Sequence, residues 1–195
     1  YWLAVVVLGA VFFVPRILPL VDYPQHLALS GLAKRLLDPD APEHAHFSFN
    51  YFTYNGLFHL MVSRLALVMP LAMAGRVVVA TTVVGMGAAV VALVNALRRP
   101  GWHAALFVPL LFSAALVWGF INYTLCLTLA MAALAVIVRS LHRPTWYKTL
   151  ATAILSFGCG LAHVLGSLLL CLFAVIIALE VVLPITRREG WRGWD

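Results

Sequence analysis

Asp22 and His26 stand four residues apart, one helical turn, in the stretch 22–38, DYPQHLALSGLAKRLLD. A carboxylate and an imidazole on one helix face can take a proton from a hydroxyl group, which makes these two the candidate catalytic residues. Candidate substrate-binding residues lie further along. Tyr51, Asn55 and His59 fall in one polar and aromatic segment, Asn122 and Tyr123 in a second, and His163 in a third. Arg64 and Arg76, together with Arg16, are cations able to hold an anionic group. Each residue also has a plainer explanation. Asp22 and Gln25 have the spacing of a capping box, with Pro24 in the first turn. Asn122 can satisfy backbone groups of a tight turn. His163 fits a polar turn, His59 a headgroup contact, and His142 a solvated loop. Position favours function for Asp22, because an ionisable group at membrane depth is costly.

The elements that must position these residues are helices. Leu29, Leu32, Ala33, Leu36 and Leu37 have the spacing of a one-faced helix, with Ser30, Lys34 and Arg35 opposite. Such a helix lies along a membrane interface and does not cross it. Before it, residues 1–14 form an apolar run closed by Pro15 and Pro19. That run is a first span and not a signal peptide, since no basic segment precedes it and no small-residue cleavage site ends it. The chain opens inside the run without Met, and is expected to be a fragment of a longer chain. Phe47, Phe49 and Tyr51 alternate as in an extended segment, and Tyr54 and Phe58 continue an aromatic belt. Residues 57–73 are apolar, but Arg64 at mid-membrane would cost roughly 2.5–3.5 kcal/mol. They are expected to form a second interfacial helix. Residues 77–97 are a span whose Ala80, Gly85, Gly87, Ala88 and Ala89 allow close helix packing. Residues 104–118 and 122–138 pair as a hairpin, and residues 149–162 and 165–183 as another. The predicted fold is all-α: one polytopic transmembrane domain over residues 1–195, a six-span helix bundle. Residues 15–76 are its outer loop.

Composition agrees with a membrane protein. Hydrophobic residues make up 64% and charged residues 10%, with mean hydropathy +0.99, where a soluble domain carries about 25% charge. The formal net charge of +6 does not indicate nucleic acid, because the basic residues gather at span ends. Six spans put Arg98, Arg99, Arg139, Arg143, Lys148, Arg187, Arg188 and Arg192 on one side, against Glu180, Glu189 and Asp195. The other side has five basic residues against four acidic ones. The more basic side is cytoplasmic, so the candidate residues share the outer face. Glu180 lies near a span end and can snorkel to the cytoplasmic interface. Residues 149–162 reach only ~21 Å against a hydrocarbon core of ~30 Å. The turns therefore sit below the outer surface, around a cavity open to it. Cys126, Cys159 and Cys171 lie in apolar runs with no CxxC pair, which indicates neither a disulfide framework nor a zinc knuckle.

An apolar first span, an acid just past its outer end, an interfacial outer loop and then hairpins of spans resemble the GT-C superfamily. The residues that carry the resemblance are PLVDYPQH at 19–26, FNYFTYNGLFH at 49–59 and GFINY at 119–123. Members are integral-membrane glycosyltransferases that use polyprenyl-phosphate sugar donors, among them protein O-mannosyltransferases and lipid A aminoarabinose transferases. The resemblance implies an enzyme of the bacterial inner membrane and cell envelope, with its site on the outer face. Its partners would be membrane lipid and a polyprenyl-phosphate sugar, and not nucleic acid. In the family the acid after the first span acts as general base or positions the acceptor, and the resemblance places that role on Asp22. Where many members have a second acid, this chain has Tyr23 and Pro24, so no divalent-metal ligand is carried over and the cofactor is left open.

Two other classes compete. Asp22, His26, His59 and His163 are residue types that bind zinc, as in an intramembrane hydrolase, but no HxxxH or HExxH pair supports that set. A transporter or scaffold subunit is the non-catalytic alternative. Transporters carry charged or broken helices at the midplane, whereas these span interiors hold almost no charge.

Overall fold

The computed structural model describes the backbone of residues 1–192 and the side chains of residues 1–141 and 143–180. The side chains of His142, Arg187, Arg188, Glu189 and Arg192, and the whole of Asp195, lie outside the described residues, so their expected roles are not addressed by it. The described chain is all-helical, without a strand. Its helices are α1 (Trp2–Val11), α2 (Tyr23–Arg35), α3 (Gly56–Leu65), α4 (Leu71–Ala96), α5 (Ala114–Val117), α6 (Ile121–His142), α7 (Trp146–Ala162) and α8 (Val164–Arg192). Two 3₁₀ segments, Pro42–Ala45 and Gly101–Phe112, complete it. Leu71–Ala96 and Ile121–Leu141 are long and apolar enough to cross a membrane.

Helix α6 is the axis, packed against α4 on one side and α7 and α8 on the other. Small residues let the backbones approach. A methyl added at Gly85 would sit 3.3 Å from Thr128 on α6, and one added at Gly87 would sit 2.8 Å from Val5 on α1. The two glycines, two positions apart, thus serve two different neighbours of α4. Thr128 donates from Oγ1 to the Thr82 carbonyl at 3.3 Å, tying α6 to α4. Cys126 and Cys159 donate to each other's carbonyls at 3.4 and 3.6 Å, tying α6 to α7. Val5, Phe12, Leu20, Phe58, Val62, Val79 and Ile121 make a core joining α1, α3, α4 and α6.

Two expectations change. Residues 104–118 do not form one α-helical span. They run as a 3₁₀ helix to Phe112 and then turn into the four-residue α5. Pro109 lies inside, and proline lacks the N–H and collides with the carbonyl four residues back. Within residues 57–73, helix α3 has only ten residues, about 15 Å, and ends at Leu65 before Pro70. Helix α2 forms where its pattern predicts. It buries Tyr23, Ser30 and Ala33, while Leu29 is exposed. Ser30 can be buried because its hydroxyl donates to the His26 carbonyl at 2.8 Å, an i−4 bond within the helix.

Candidate functional site

The segment leading to Asp22 is clamped before it reaches the helix. Leu18 and Leu20 are buried, and the Val21 and Asp22 amides donate to the carbonyls of Val117 and Trp118, both at 3.1 Å. Gly119 follows with φ +88°, a left-handed conformation that favours glycine. A Cβ there would fall 2.5 Å from the Asp22 amide nitrogen. Glycine is therefore what lets the 119–122 turn lie directly on Asp22. Asp22 is the N-cap residue of α2, yet its side chain makes no capping bond. The capping box expected from Asp22 and Gln25 does not form, and the carboxylate is left for other work.

The same turn starts α6. Asn122 is 2% exposed, and its Oδ1 accepts from the Phe58 amide at 3.1 Å, capping α3 from another helix. Because the amide is a donor, Oδ1 must be the atom facing it, which leaves Nδ2 as the other atom. That Nδ2 is buried with no partner in the described chain. Asn55, the N-cap of α3, has φ +63°, and its amide donates to the Ala162 carbonyl at the end of α7 at 3.2 Å. His163 ends α7, and its Nδ1 accepts from the Leu165 amide at 3.2 Å in the first turn of α8. An accepting Nδ1 means that a neutral His163 carries its proton on Nε2. Its ring meets Tyr123 edge to face at 5.4 Å.

These residues enclose a cavity of about 470 Å³, lined by Asp22, Gln25, His26, Asn55, Phe120, Asn122, Tyr123, His163 and Leu165. The lining comes from the starts of four helices: α2, α3, α6 and α8. A helix start carries about half a positive charge, and four of them converge here, so the cavity favours an anion. An apolar groove of about 330 Å³, lined among others by Val83, Met86, Phe107, Leu110, Leu127 and Met131, adjoins it through the shared Tyr123.

The cavity thus brings together Asp22, His26, Asn55, Asn122, Tyr123 and His163. It excludes Tyr51, His59, Arg64 and Arg76. Tyr51 donates its hydroxyl to the Ala33 carbonyl at 3.2 Å. Arg64 is exposed and lies over the Tyr51 ring, 5.8 Å from its centre. Arg76 donates to the carbonyls of Phe13 and Arg16 at 3.4 and 2.6 Å, closing the bend after α1. His59 does not face headgroups. It is 5% exposed, packed against Phe49, Phe58 and His26, behind the cavity wall. Burial, and then the neighbouring His26, push its pKa down to about 4. Burial also holds His26 below the usual imidazole value, against the pull of the Asp22 charge. His26 meets His59 by Nδ1 to Nε2 at 3.4 Å, in place of the expected pairing with Asp22 alone.

Gln25, Phe120 and Leu165 line the cavity without having been singled out as binding residues. Gln25 and Phe120 sit inside the stretches PLVDYPQH and GFINY, so position gave a signal for them; Leu165, apolar in an apolar run, gave none. Among the described residues no three His, Cys, Asp or Glu side chains gather as a metal-binding group, so the four zinc-ligand types do not form a set. No protein-family model, no curated protein and no solved structure matches this chain.

Proposed function

We propose that this chain is the membrane-embedded part of a GT-C-like glycosyltransferase. It moves a sugar from a polyprenyl-phosphate donor to an acceptor hydroxyl at the outer face of the bacterial inner membrane. The observation that carries the reading is the pairing, in one cavity, of an uncapped carboxylate with four helix starts and the unpartnered Asn122 Nδ2. Such a site holds both a base and an anion-binding surface. Asp22 takes the acceptor's proton, the acceptor oxygen bonds to the sugar's anomeric carbon, and the bond from that carbon to the phosphate oxygen breaks with its electrons leaving on phosphate. Phosphate is already a good leaving group, so what it needs is stabilisation of its charge. Helix starts and Asn122 supply that here, in the role that Arg64 and Arg76 were expected to fill. The adjoining apolar groove suits the lipid chain of such a donor.

Six spans remain the topology in this reading, with α1, the 101–117 segment, α7 and α8 crossing beside α4 and α6. The outward faces support it. Leu3, Val6 and Val7 on α1, and Leu168, Leu172, Val175 and Leu179 on α8, are all exposed, as side chains facing lipid would be.

The test is Asp22→Asn in the full-length protein, in membranes holding equal amounts of each variant, supplied with polyprenyl-phosphate mannose or polyprenyl-phosphate glucose. Asn is isosteric but cannot serve as a base, and losing general-base catalysis costs roughly 10²–10⁴-fold in rate. Transfer at the wild-type rate by Asp22→Asn would end the assignment of Asp22, and with it the main residue-level support for the reading.

A further inference from the structure

Behind the cavity wall, three side chains form a chain that the transfer reaction does not use directly. Ser30 Oγ lies 2.8 Å from the His26 carbonyl oxygen. Two oxygens that close need a proton between them, and only the hydroxyl has one. Ser30 therefore donates there and has only lone pairs left for His59 Nδ1, 3.0 Å away. His59 Nδ1 must then carry a proton. Since His59 is neutral at any pH well above about 4, its Nε2 is bare. His26 Nδ1, at 3.4 Å from that bare nitrogen, is the donor of the next bond. A neutral His26 with its proton on Nδ1 has a bare Nε2. His26 lines the cavity with Asp22, while Ser30 and His59 are closed off from it.

We propose that Ser30 and His59 are positioning residues that lock His26 in its Nδ1–H tautomer, so that His26 presents a bare Nε2 to the cavity as a hydrogen-bond acceptor. The proposal rests on reading the cavity as the transfer site, and it adds what that wall recognises. Asp22 and His26 Nε2 are then both acceptors and neither can donate to the other. The carboxylate stays free of a neutralising partner, in keeping with its missing capping bond. Two acceptors on one helix select hydroxyl groups: one is deprotonated by Asp22, and a second, on the same sugar or acceptor, donates to His26. The anion goes to the starts of α3, α6 and α8. A free imidazole in water prefers the Nε2–H tautomer, so the locked form is diagnostic.

The experiment is NMR of the full chain in detergent micelles with ¹⁵N-labelled histidine near neutral pH. The His26 resonances are assigned by their loss in His26→Gln. The expected wild-type pattern has His26 protonated on Nδ1. His59→Phe, which keeps a ring but removes the acceptor, should return His26 to the common Nε2–H form. His59→Gln, whose amide oxygen can stand near the place of Nε2, should restore Nδ1–H. A wild-type His26 protonated on Nε2 overturns the proposal, and needs no variant to fold. An unchanged tautomer in His59→Phe overturns it as well. In membranes, transfer should fall in His59→Phe and return in His59→Gln. The tautomer pattern without transfer by any variant would sink the transferase reading and leave the lock standing.

Discussion

Acid should unfold this protein earlier than its carboxylates require, and His59 is the reason. An unfolded histidine titrates near 6.5, and His59 in the folded chain titrates at about 4. Between those values the unfolded chain binds the extra proton and the folded chain does not. Stability contributed by the neutral ring is therefore complete above the unfolded value and is lost as pH falls toward the folded one. Linkage over that gap gives a loss of roughly 2–3 kcal/mol on going from near pH 7.5 to near pH 4.5. His26 shifts in the same direction through burial, with the Asp22 charge opposing it. The groups facing His59 are Ser30, His26, Phe49 and Phe58, none of them a carboxylate that would welcome the proton. The assay is thermal unfolding followed by circular dichroism in a nonionic detergent, for wild type and His59→Phe at both pH values. Contributions common to both proteins cancel in the comparison. Wild type should lose more stability than the variant by the amount above. Equal losses would refute the buried, neutral state of His59.

Other expected outcomes follow from single positions. Gly119→Ala places a side chain at φ +88° against the Asp22 backbone, and strain of that kind costs roughly 1–3 kcal/mol, so the melting temperature should fall; an unchanged melt would contradict the close approach. Asn122→Ala leaves the Phe58 amide uncapped at a cost of about 1 kcal/mol. Asn122→Asp keeps the acceptor and removes the donor, so the protein should fold yet lose binding of polyprenyl phosphate, measured by thermal shift; retained binding would remove Nδ2 from the anion site. Single cysteines at positions 22, 122 and 163 should all react with an impermeant thiol reagent from the same membrane face, and labelling of position 22 from the opposite face would break both topology and site.

The helices were legible in the sequence where local chemistry bounds them. The basic pair Arg98 and Arg99 follows α4, and α6 begins at the turn holding Gly119; the start of α4 was not legible, since the helix begins at Leu71, just past Pro70, and not at residue 77. The polar cavity residues were legible for the same reason. Asp22, Asn55, Asn122 and His163 each stand at a helix start, where a short polar side chain in an apolar chain is conspicuous. The direction of a long side chain is not written locally. Arg64 and Arg76 looked available for phosphate, but which carbonyl or ring each reaches depends on the bend at Pro15 and Pro19 and on the path of the 47–55 segment. The 3₁₀ path of residues 101–112 was equally hidden from hydropathy, which measures polarity and not hydrogen-bond register; Pro109 was the one available sign.

The orientation of α2 has a more general cause. In water an apolar stripe turns to the interior, because burial removes apolar surface from the solvent. That inference needs water outside. In the proposed membrane setting the surroundings are themselves apolar, and Val6, Ile17, Leu29, Leu168 and Leu172 are exposed to them. An apolar side chain then gains little by turning inward, and the helix is free to turn by its polar contacts instead. Ser30 inside, bonded to the His26 carbonyl and to His59, outweighs Leu29 inside. The same argument explains why the buried polar groups gather in one place. In that proposed setting, hydrogen bonds among Ser30, His26, His59, Asn122 and the Phe58 amide fix how α2, α3 and α6 meet. The contacts that orient those helices are then the ones that shape the cavity, so substitutions there should disturb fold and site together, while exchanges among the outward leucines and valines should disturb neither.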